Sequence, residues 1–423
     1  MQEQTSSNSL GENVPKLRFP EFEGEWEQRK LSDIATMHAR IGWQNLRTSE
    51  FLDSGDYMLI TGTDFEDGTV NYATCHYVEQ ERYEQDKHIQ VRNGSILITK
   101  DGTLGKVAFV QGLSMPATLN AGVFNIEIKD TNEVDNKYLF QYLRAPFLMD
   151  YVGKRATGGT IKHLNQNILV DFPVVLPKKA EQEKIGLFFI LIDKKIKKQR
   201  QLVDALKLYK RGLLSKLFPQ EGENVPRYRF TGFTDAWEQR KLGKLAEIVG
   251  GGTPSTGKEE YWDGDIDWYA PAEISEQIYV DSSERKITEE GFNNSSTKKL
   301  PVGTVLFTSR AGIGKMAILR KESCTNQGFQ SIVPHKNELD SYFIFSRSEE
   351  LKRYGETVGA GSTFVEVSGK QMAAMELMMP PTIDEQRKIG SYFERIDHLI
   401  TLHQRKQDFC EKVKLALLQQ MFI

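Results

Sequence analysis

Apolar residues recur with a four-three spacing along two segments of the chain, and this spacing predicts two long helices. The first segment, 180–217, lies between Pro177 and Pro219, which are typical helix boundaries. It would be roughly 55 Å long at about 1.5 Å per residue, more than a globular domain needs for its own core. We therefore predict that the two helices pack on each other, with the alternative that each packs only on its own domain. The expected helix interface consists of Ile185, Phe189, Ile192, Ile196, Leu206, Ile389, Phe393, Ile396 and Ile400.

The seam of each predicted helix is interrupted by polar residues. Gln199 and Lys210 interrupt the first seam, and Lys414 falls in the second helix where Lys210 falls in the first. Such residues cost stability but restrict the register and the choice of partner.

Shorter apolar runs outside these helices predict strands, and two further helices are expected near 134–148 and 339–354. The pattern indicates an α/β (α+β) fold with a substantial sheet in each of two domains. The predicted strands are 94–100, 106–112, 123–129 and 172–177 in the first domain and 302–309, 316–320 and 329–335 in the second.

The chain is a tandem duplication. ENVPKLRFPEFEGEWEQRKL (12–31) and ENVPRYRFTGFTDAWEQRKL (223–242) are identical at thirteen of twenty positions. Two further segment pairs, 95–108 with 304–317 and 180–193 with 384–397, follow in the same order. Two copies suggest pseudo-two-fold symmetry, which can offer equivalent surfaces to two identical partners. The predicted layout is a disordered tail (1–11), a domain (12–178), a helix (179–218), a second domain (219–382) and a second helix (383–423).

Composition describes an ordinary globular protein and does not by itself suggest a nucleic-acid binder. The chain is 39% apolar and 27% charged, with a formal net charge of −3 and three cysteines far apart in sequence. A basic balance, the usual footprint of a nucleic-acid binder, is absent, so positive charge must be local or come from partners. With no membrane-length apolar run, no signal-like start and no disulfide framework, we expect a cytoplasmic protein without a metal site.

No known catalytic constellation is recognisable. Gly105-Lys106 and Gly314-Lys315 resemble the end of a phosphate-binding loop but lack its other residues, so a tight turn between strands is the preferred interpretation. Glu127 and Lys129 have the Glu-x-Lys form of many nucleases without the preceding acidic partner. We therefore expect a protein that is not an enzyme.

The two domains diverge most at 38–65 and 250–274, which are rich in aromatic, amide, hydroxyl and basic residues. Such groups hydrogen-bond base edges, contact phosphates or stack. A shared framework with divergent segments of this kind is what a reader of two different sequences would need.

The ordered, duplicated set of motifs resembles the specificity subunit of Type I restriction–modification enzymes over essentially the whole chain. The motifs are VPxxRF…WEQRKL (14–31 and 225–242), EQxKIG…ID (181–193 and 385–397) and GGTPS…YWDGDIDW (251–268). The resemblance implies two target-recognition domains that read the halves of a bipartite, gapped DNA site, separated by antiparallel spacer helices. It also implies docking of two methyltransferase subunits with S-adenosylmethionine and two restriction subunits with ATP and Mg²⁺, while this chain binds no cofactor.

From this resemblance and the divergent segments, we expect DNA contacts from thirteen residues. For the tryptophans, the alternative is a position in the core. For the lysines and arginines of the loops, the alternative is a solvated side chain without DNA contact. A single-chain nuclease or methyltransferase, or an adaptor without DNA binding, are the competing functions. The expected DNA-binding residues are Arg40, Trp43, Gln44, Arg47, Lys100, Lys106, Thr253, Ser255, Lys258, Tyr261, Trp262, Arg310 and Lys315.

Overall fold

The computed structural model describes residues 13–41, 45–155, 164–310, 312–360 and 366–423, so the predicted tail 1–11 lies outside the described residues. The chain divides into two units. The first unit contains the residues up to 202 together with 404–423, and the second contains 203–403. Each unit thus combines a globular region with segments of both predicted long helices.

The first unit is built on strands β1–β12. They are β1 (Glu27–Lys30), β2 (Ala35–His38), β3 (Tyr57–Ile60), β4 (Phe65–Glu66), β5 (Thr69–Val70), β6 (His76–Val78), β7 (Gln90–Val91), β8 (Ile96–Thr99), β9 (Val107–Phe109), β10 (Ala117–Leu119), β11 (Val123–Ile128) and β12 (Pro173–Leu176). The helices are α1 (Leu31–Ile34), α2 (Gln80–Glu84), α3 (Asn136–Arg144), α4 (Pro146–Arg155), α5 (Gln166–Val170) and α6 (Lys179–Leu217), which continues into the second unit.

The second unit is built on strands β13–β22. They are β13 (Glu238–Lys241), β14 (Ala246–Gly250), β15 (Trp262–Tyr269), β16 (Tyr279–Val280), β17 (Arg285–Ile287), β18 (Val305–Phe307), β19 (Met316–Leu319), β20 (Cys324–Thr325), β21 (Gln330–Pro334) and β22 (Glu376–Met379). The helices are α7 (Leu242–Leu245), α8 (Glu289–Asn293), α9 (Ser341–Ser346), α10 (Ser348–Gly359), α11 (Gly369–Ala374) and α12 (Ile383–Met421), which ends in the first unit.

The main sheets of the two units share their topology. The order β2-β11-β8-β9 in the first unit matches β14-β21-β18-β19 in the second, and every neighbouring pair in these series is antiparallel. A smaller sheet in each unit contains one parallel pair, β3 with β10 and β15 with β20. Six of the seven predicted strands fall in the main sheets, the seventh (172–177) is β12, which pairs with β1, and the mixed α/β class is confirmed. The two helices expected near 134–148 and 339–354 are each split, into α3 and α4 and into α9 and α10.

The two long helices run antiparallel within each unit. In the first unit, the ring of Phe189 on α6 stacks on Phe422, which follows α12, with 5.5 Å between ring centroids. In the second unit, Phe218, which follows α6, lies 6.1 Å from Phe393 on α12. In both cases the end of one helix meets the beginning of the other.

The predicted seam residues are buried, and they contact more than the opposite helix. Ile185 and Phe189 belong to the apolar core formed by the sheet and α3 of the first unit, together with Leu418 and Met421 of α12. The prediction of a helix pair and its alternative are thus both correct in part, because each helix begins on its own domain and also packs on the other helix. Ile185, Phe189, Ile196, Ile389, Phe393 and Ile396 are buried, and Ile192, Leu206 and Ile400 are partly buried.

The repeated motifs form the same contacts in both units. Arg18 donates two hydrogen bonds to Glu181, both of 2.7 Å, and thereby ties the VPxxRF segment to the start of α6. Arg229 makes the equivalent pair with Glu385 at 2.7 and 2.8 Å. The EQRK strands β1 and β13 pair with β12 and β22, the strands that lead into the long helices. Two motifs that lie far apart in sequence therefore serve one joint between the sheet and the helix.

Among the described residues, no helix combines the length and the apolar character needed to span a bilayer.

Candidate nucleic-acid interface

A tight turn joins β8 to β9 and recurs between β18 and β19. The hydroxyl of Thr99 accepts a hydrogen bond of 2.9 Å from the backbone N–H of Lys106, and Thr308 accepts the same bond from Lys315. Gly105 has a φ of +71°, a conformation that favours glycine. The Gly-Lys pairs thus lie in the turns between paired strands, as predicted, and the side chains of Lys106 and Lys315 are exposed.

Two further loops join this turn at one end of each unit. In the first unit, the backbone of Lys100 donates to Gly122 at 2.9 Å and accepts from Leu164 at 2.8 Å. In the second unit, Ser309 donates to Gly328 at 2.8 Å and accepts from Val367 at 3.0 Å. With the adjacent divergent segments, these loops form a surface that we call the loop face. It comprises 39–41, 100–106, 120–122 and 164–166 in the first unit, and 251–258, 309–310, 312–315, 326–328 and 366–368 in the second.

The divergent segment of the second unit is held on its loop face by two tryptophans. The indole N–H of Trp268 donates to the carbonyl of Gly252 at 2.9 Å, and that of Trp262 donates to Ser255 at 3.2 Å. The guanidinium of Arg285 covers the Trp262 ring at 3.7 Å. Trp262 is only 8% exposed, so its predicted contact with DNA is wrong and its core alternative is correct.

Tyr261 is a second correction. Its side chain is 5% exposed, and its hydroxyl accepts a hydrogen bond of 3.0 Å from the ammonium of Lys258. This hydrogen bond raises the pKa of Lys258, whose charge remains on the surface. Ser255 and Lys258 are exposed and Thr253 is half-buried, so these three predicted residues stay accessible on the loop face. Thr253 donates to the exposed amide of Gln327, a loop-face residue that no sequence motif indicated.

A buried carboxylate fixes the strand that carries these tryptophans. Asp267 is fully buried and accepts hydrogen bonds from the Lys321 ammonium at 2.7 Å and the Ser283 N–H at 3.0 Å. Burial alone would raise its pKa, but the hydrogen bonds from Lys321, Ser283 and Lys286 outweigh it and lower the pKa to about 2. Asp267 is therefore ionised at neutral pH and holds β15 in place.

The first unit positions its divergent segment differently. Arg40 is 1% exposed, and its guanidinium donates to the carbonyl of Leu119 at 2.9 Å and to Thr118 at 3.3 Å. Its predicted role as a base-reading residue is wrong because these bonds turn the side chain into the protein. Arg47 is exposed, whereas Trp43 and Gln44 lie outside the described residues.

A cavity of about 470 Å³ opens on the loop face of the first unit. Lys100 lies on its wall with its ammonium 5.5 Å from the Phe124 ring, and the exposed amides of Asn165 and Gln166 line the rim. Like Lys100, Arg310 of the second unit is half-buried. Both loop faces thus present ammonium, amide and hydroxyl groups, and the second adds the guanidinium of Arg310. These are the groups that bind phosphates and base edges.

The residues weighed as a nuclease centre are engaged elsewhere. Glu127 pairs with Arg92 at 3.5 Å, and the Lys129 ammonium donates to the carbonyl of Ser32 at 2.6 Å. Within the described ranges, no group of three or more His, Cys, Asp or Glu side chains is arranged to hold a metal ion.

Comparison with known proteins agrees with the duplicated architecture. The family model for the Type I restriction modification DNA specificity domain matches residues 23–207 and 234–411. The chain is similar to the Type I restriction enzyme MjaIX specificity subunit of Methanocaldococcus jannaschii, with 36% identity over 44% of this chain and 44% of the relative. It is 24% identical to the putative type I restriction enzyme MjaX specificity subunit of the same organism, over 96% of this chain and 95% of the relative.

The fold is shared with a solved structure. A Type I restriction–modification system S subunit from M. genitalium has a TM-score of 0.65 with 15% sequence identity, over 97% of this chain and 99% of that chain. A chain from a structure concerned with complex assembly of the type I R-M system has a TM-score of 0.53 with 16% identity, over 94% and 97% of the two chains. The matched stretch spans less than half of the MjaIX relative's length, whereas the other three matches extend over nearly the full chains.

Proposed function

This chain belongs to the Type I restriction modification DNA specificity family, and we propose that it reads a bipartite DNA site for a Type I restriction–modification complex. The observation that carries the proposal is one framework used twice, with two loop faces of different sequence. Arg18 and Glu181 recur as Arg229 and Glu385, whereas 38–65 and 250–274 do not correspond. Each loop face would read one half of the site.

The accessible candidates for DNA contact divide into two groups. Hydroxyl and amide groups, with Arg47, are suited to base edges, and the turn lysines to phosphates. Arg40, Tyr261 and Trp262 support the loops from inside, and Trp43 and Gln44 remain candidates in the first divergent segment. The accessible set is Arg47, Lys100, Lys106, Thr253, Ser255, Lys258, Arg310 and Lys315.

In this proposal, the chain is not an enzyme, and it acts as part of a complex in the cytoplasm. It would bind double-stranded DNA together with two methyltransferase and two restriction subunits, which would supply S-adenosylmethionine, ATP and Mg²⁺ chemistry. A net charge of −3 fits this arrangement, since partners that close around the DNA would provide further phosphate contacts.

Exposed apolar side chains on the long helices support docking of partners. In the first unit, Leu191 is 54% exposed and Phe409 is 66% exposed; in the second, Leu208 is 63% exposed. Exposed apolar side chains of this size can be buried against a partner protein. The corresponding positions of the other copy are Arg395, Ala205 and Lys412, so two identical partners would meet different side chains.

The decisive experiment is a loop exchange in the complex with a methyltransferase partner, read out by mapping methylated DNA. Replacing residues 251–258 by those of a relative should change one half of the methylated site and leave the other half and the gap unchanged. A change in both halves would contradict the proposal. As a matched control, replacing the exposed framework residue Lys30 by Gln should change neither half.

A second test measures phosphate contacts. Lys106→Gln and Lys315→Gln should each reduce the slope of log affinity against log salt by about 0.9 while the half-site preference stays the same.

The competing enzyme hypothesis predicts turnover by the purified chain with Mg²⁺ or S-adenosylmethionine that Glu127→Ala abolishes.

A further inference from the structure

One aspartate–lysine pair crosses the antiparallel helices in each unit, with one buried and one partly buried member. In the first unit, the ammonium of Lys414 on α12 donates to Asp193 on α6 at 2.6 Å. In the second unit, the ammonium of Lys210 on α6 lies 2.7 Å from Asp397 on α12. Lys210 and Lys414 occupy the same position of the two seams, and Asp193 and Asp397 are equivalent residues of the EQxKIG…ID motif.

The surroundings of each pair satisfy both charges. Asp193 also accepts 2.7 Å hydrogen bonds from the side chains of Gln141 and Arg144. Asp397 accepts a bond of 2.9 Å from the hydroxyl of Tyr342. The side chains of Lys414 and Asp397 are each 9% exposed. Burial lowers the pKa of Lys414 to about 8, so its ammonium depends on the facing carboxylate to remain charged.

Both pairs fit a single alignment of the helices. The separation from Asp193 to Lys210 along α6 equals that from Asp397 to Lys414 along α12. In an antiparallel pair, the register that joins the first aspartate to the second lysine therefore also joins the second aspartate to the first lysine. The heptad spacing by itself is less selective, because a shift by one heptad of about 10 Å still places seam positions opposite seam positions.

A shift by one heptad removes the partner of each charge on the opposite helix, while Asp193 keeps Arg144 of its own unit. In one direction Asp193 faces Gln407 and Lys414 faces Gly186. In the other direction Asp193 faces Met421 and Lys414 meets the like charge of Arg200. The same two shifts place Asp397 opposite Val203 or Leu217, and Lys210 opposite Gly390 or Gln404.

We propose that the pairs Asp193–Lys414 and Lys210–Asp397 are positioning residues that select one register of the two helices. Buried ion pairs generally add little net stability, because the desolvation of both charges offsets their attraction. Their best-attested role is to specify register, since an unpaired buried charge is strongly unfavourable. The consequence for DNA rests on the proposed function: the register would in turn set the gap between the DNA half-sites.

The test compares the purified chain with a variant that lacks both pairs. The variant carries Asp193→Leu, Lys414→Leu, Lys210→Leu and Asp397→Leu. Gln141→Met and Tyr342→Phe remove the two buried donors that would lose their acceptors, and Arg144, whose side chain is 21% exposed, keeps access to water. Spin labels at Leu187 and Phe409, which are 49% and 66% exposed, report a distance along the helix pair of the first unit. A Cys410→Ser background leaves the two buried cysteines as the remaining thiols.

The original chain should give one narrow distance, and the variant should add populations displaced along the helix axis by about 10 Å. One unchanged narrow distance would overturn the proposal. Failure of the variant to fold would also overturn it, because the pairs would then supply stability. Exchanging the charges with Lys210→Asp and Asp397→Lys should keep a single distance. A matched control removes the half-exposed cross-helix pair Arg200–Glu411, with Arg200→Gln and Glu411→Gln, and should leave the distance unchanged.

A second readout tests the consequence for DNA. In the complex with a methyltransferase partner, the variant should methylate sites with more than one gap length and unchanged half-sites. Several distances with a single gap would contradict the link between register and spacing but leave the register assignment in place. Absence of sequence-specific methylation even with the original chain would contradict the proposed function, independently of the distance result.

Discussion

Arg40 and Arg47 belong to the same divergent segment of the first unit, but only Arg47 is exposed. Arg40→Ala should lower the free energy of unfolding by roughly 2–4 kcal/mol, because it leaves a cavity and removes donors from buried acceptors. Arg47→Ala should change stability by less than about 0.5 kcal/mol and weaken DNA binding by the complex. Urea titration and DNA titration of both variants check this. Weaker DNA binding by a fully stable Arg40→Ala variant would contradict the buried role.

The carboxyl group of Asp267 should make the stability of the second unit depend on acidity. Its pKa lies near 2 in the folded chain, below the usual value of about 3.9, so the ionised form favours folding. This contribution, about 2 kcal/mol, should be fully present above about pH 4 and fade as the pH falls towards 2. Unfolding measured from pH 7 to pH 2 should show this loss in the original chain and a smaller one in Asp267→Asn. The exposed Asp265→Asn variant is the control and should follow the original curve.

The sequence pattern did not specify which residues of one chemical type would be buried in the core and which would be exposed on the loop face. Trp262 and Trp268 stand in a segment with exposed polar residues, and an indole can either stack on a base or fill a core. The sequence could not show their burial, because it depends on hydrogen bonds to Gly252 and Ser255. These bonds form only when the segment folds back on β15. The alternation in GDIDW places Asp267 on the same strand face as the exposed Asp265, so the sequence pattern gave no sign of this buried carboxylate.

At the scale of elements, the glycine of the EQxKIG motif allows α6 to approach α3 closely. A Cβ on Gly186 would stand 2.7 Å from the backbone nitrogen of Tyr138, which belongs to the first turn of α3. Gly186→Ala should therefore lower the free energy of unfolding by about 1–3 kcal/mol through overpacking. Gly212→Ala, in the same helix but with open space around it, should raise it by up to about 1 kcal/mol. Thermal unfolding of the two variants gives the comparison, and equal effects of the same sign would contradict the close approach.

The elements were more predictable than their neighbours in space. Long periodic segments identified α6 and α12, and continuous apolar runs identified β8, β11, β18 and β21. Strands β3 and β15 escaped prediction because they lie within the divergent segments, where they pair with β10 and β20. The joint between Arg18 and Glu181 could not be read from either motif alone, although the repetition of both motifs indicated that they serve a common purpose.

Across the whole molecule, some contacts recur in both copies of the duplicated chain and others differ between them. The contacts that recur are those of the framework: the joint between sheet and helix, the tight turn and the seam charges. The contacts that differ are those beneath the loop faces, where Arg40 supports one divergent segment and Trp262 with Trp268 supports the other. A loop face can therefore change its sequence while the helices and their register stay the same.

The length of the two helices should set the gap between the half-sites. Four residues inserted after Gln199 add about 6 Å to α6, and the same insertion after the equivalent His403 lengthens α12 to match. At roughly 3.4 Å per base pair, the double insertion should lengthen the gap of the methylated site by about two base pairs while both half-sites stay unchanged. It preserves both aspartate–lysine pairs, because Asp193 and Lys414 lie on one side of the insertions and Lys210 and Asp397 on the other. An insertion in α6 alone should instead cost one of these pairs and lower the melting temperature. If the double insertion left the original gap in an active complex, the spacing would be set by the partner subunits and not by this chain.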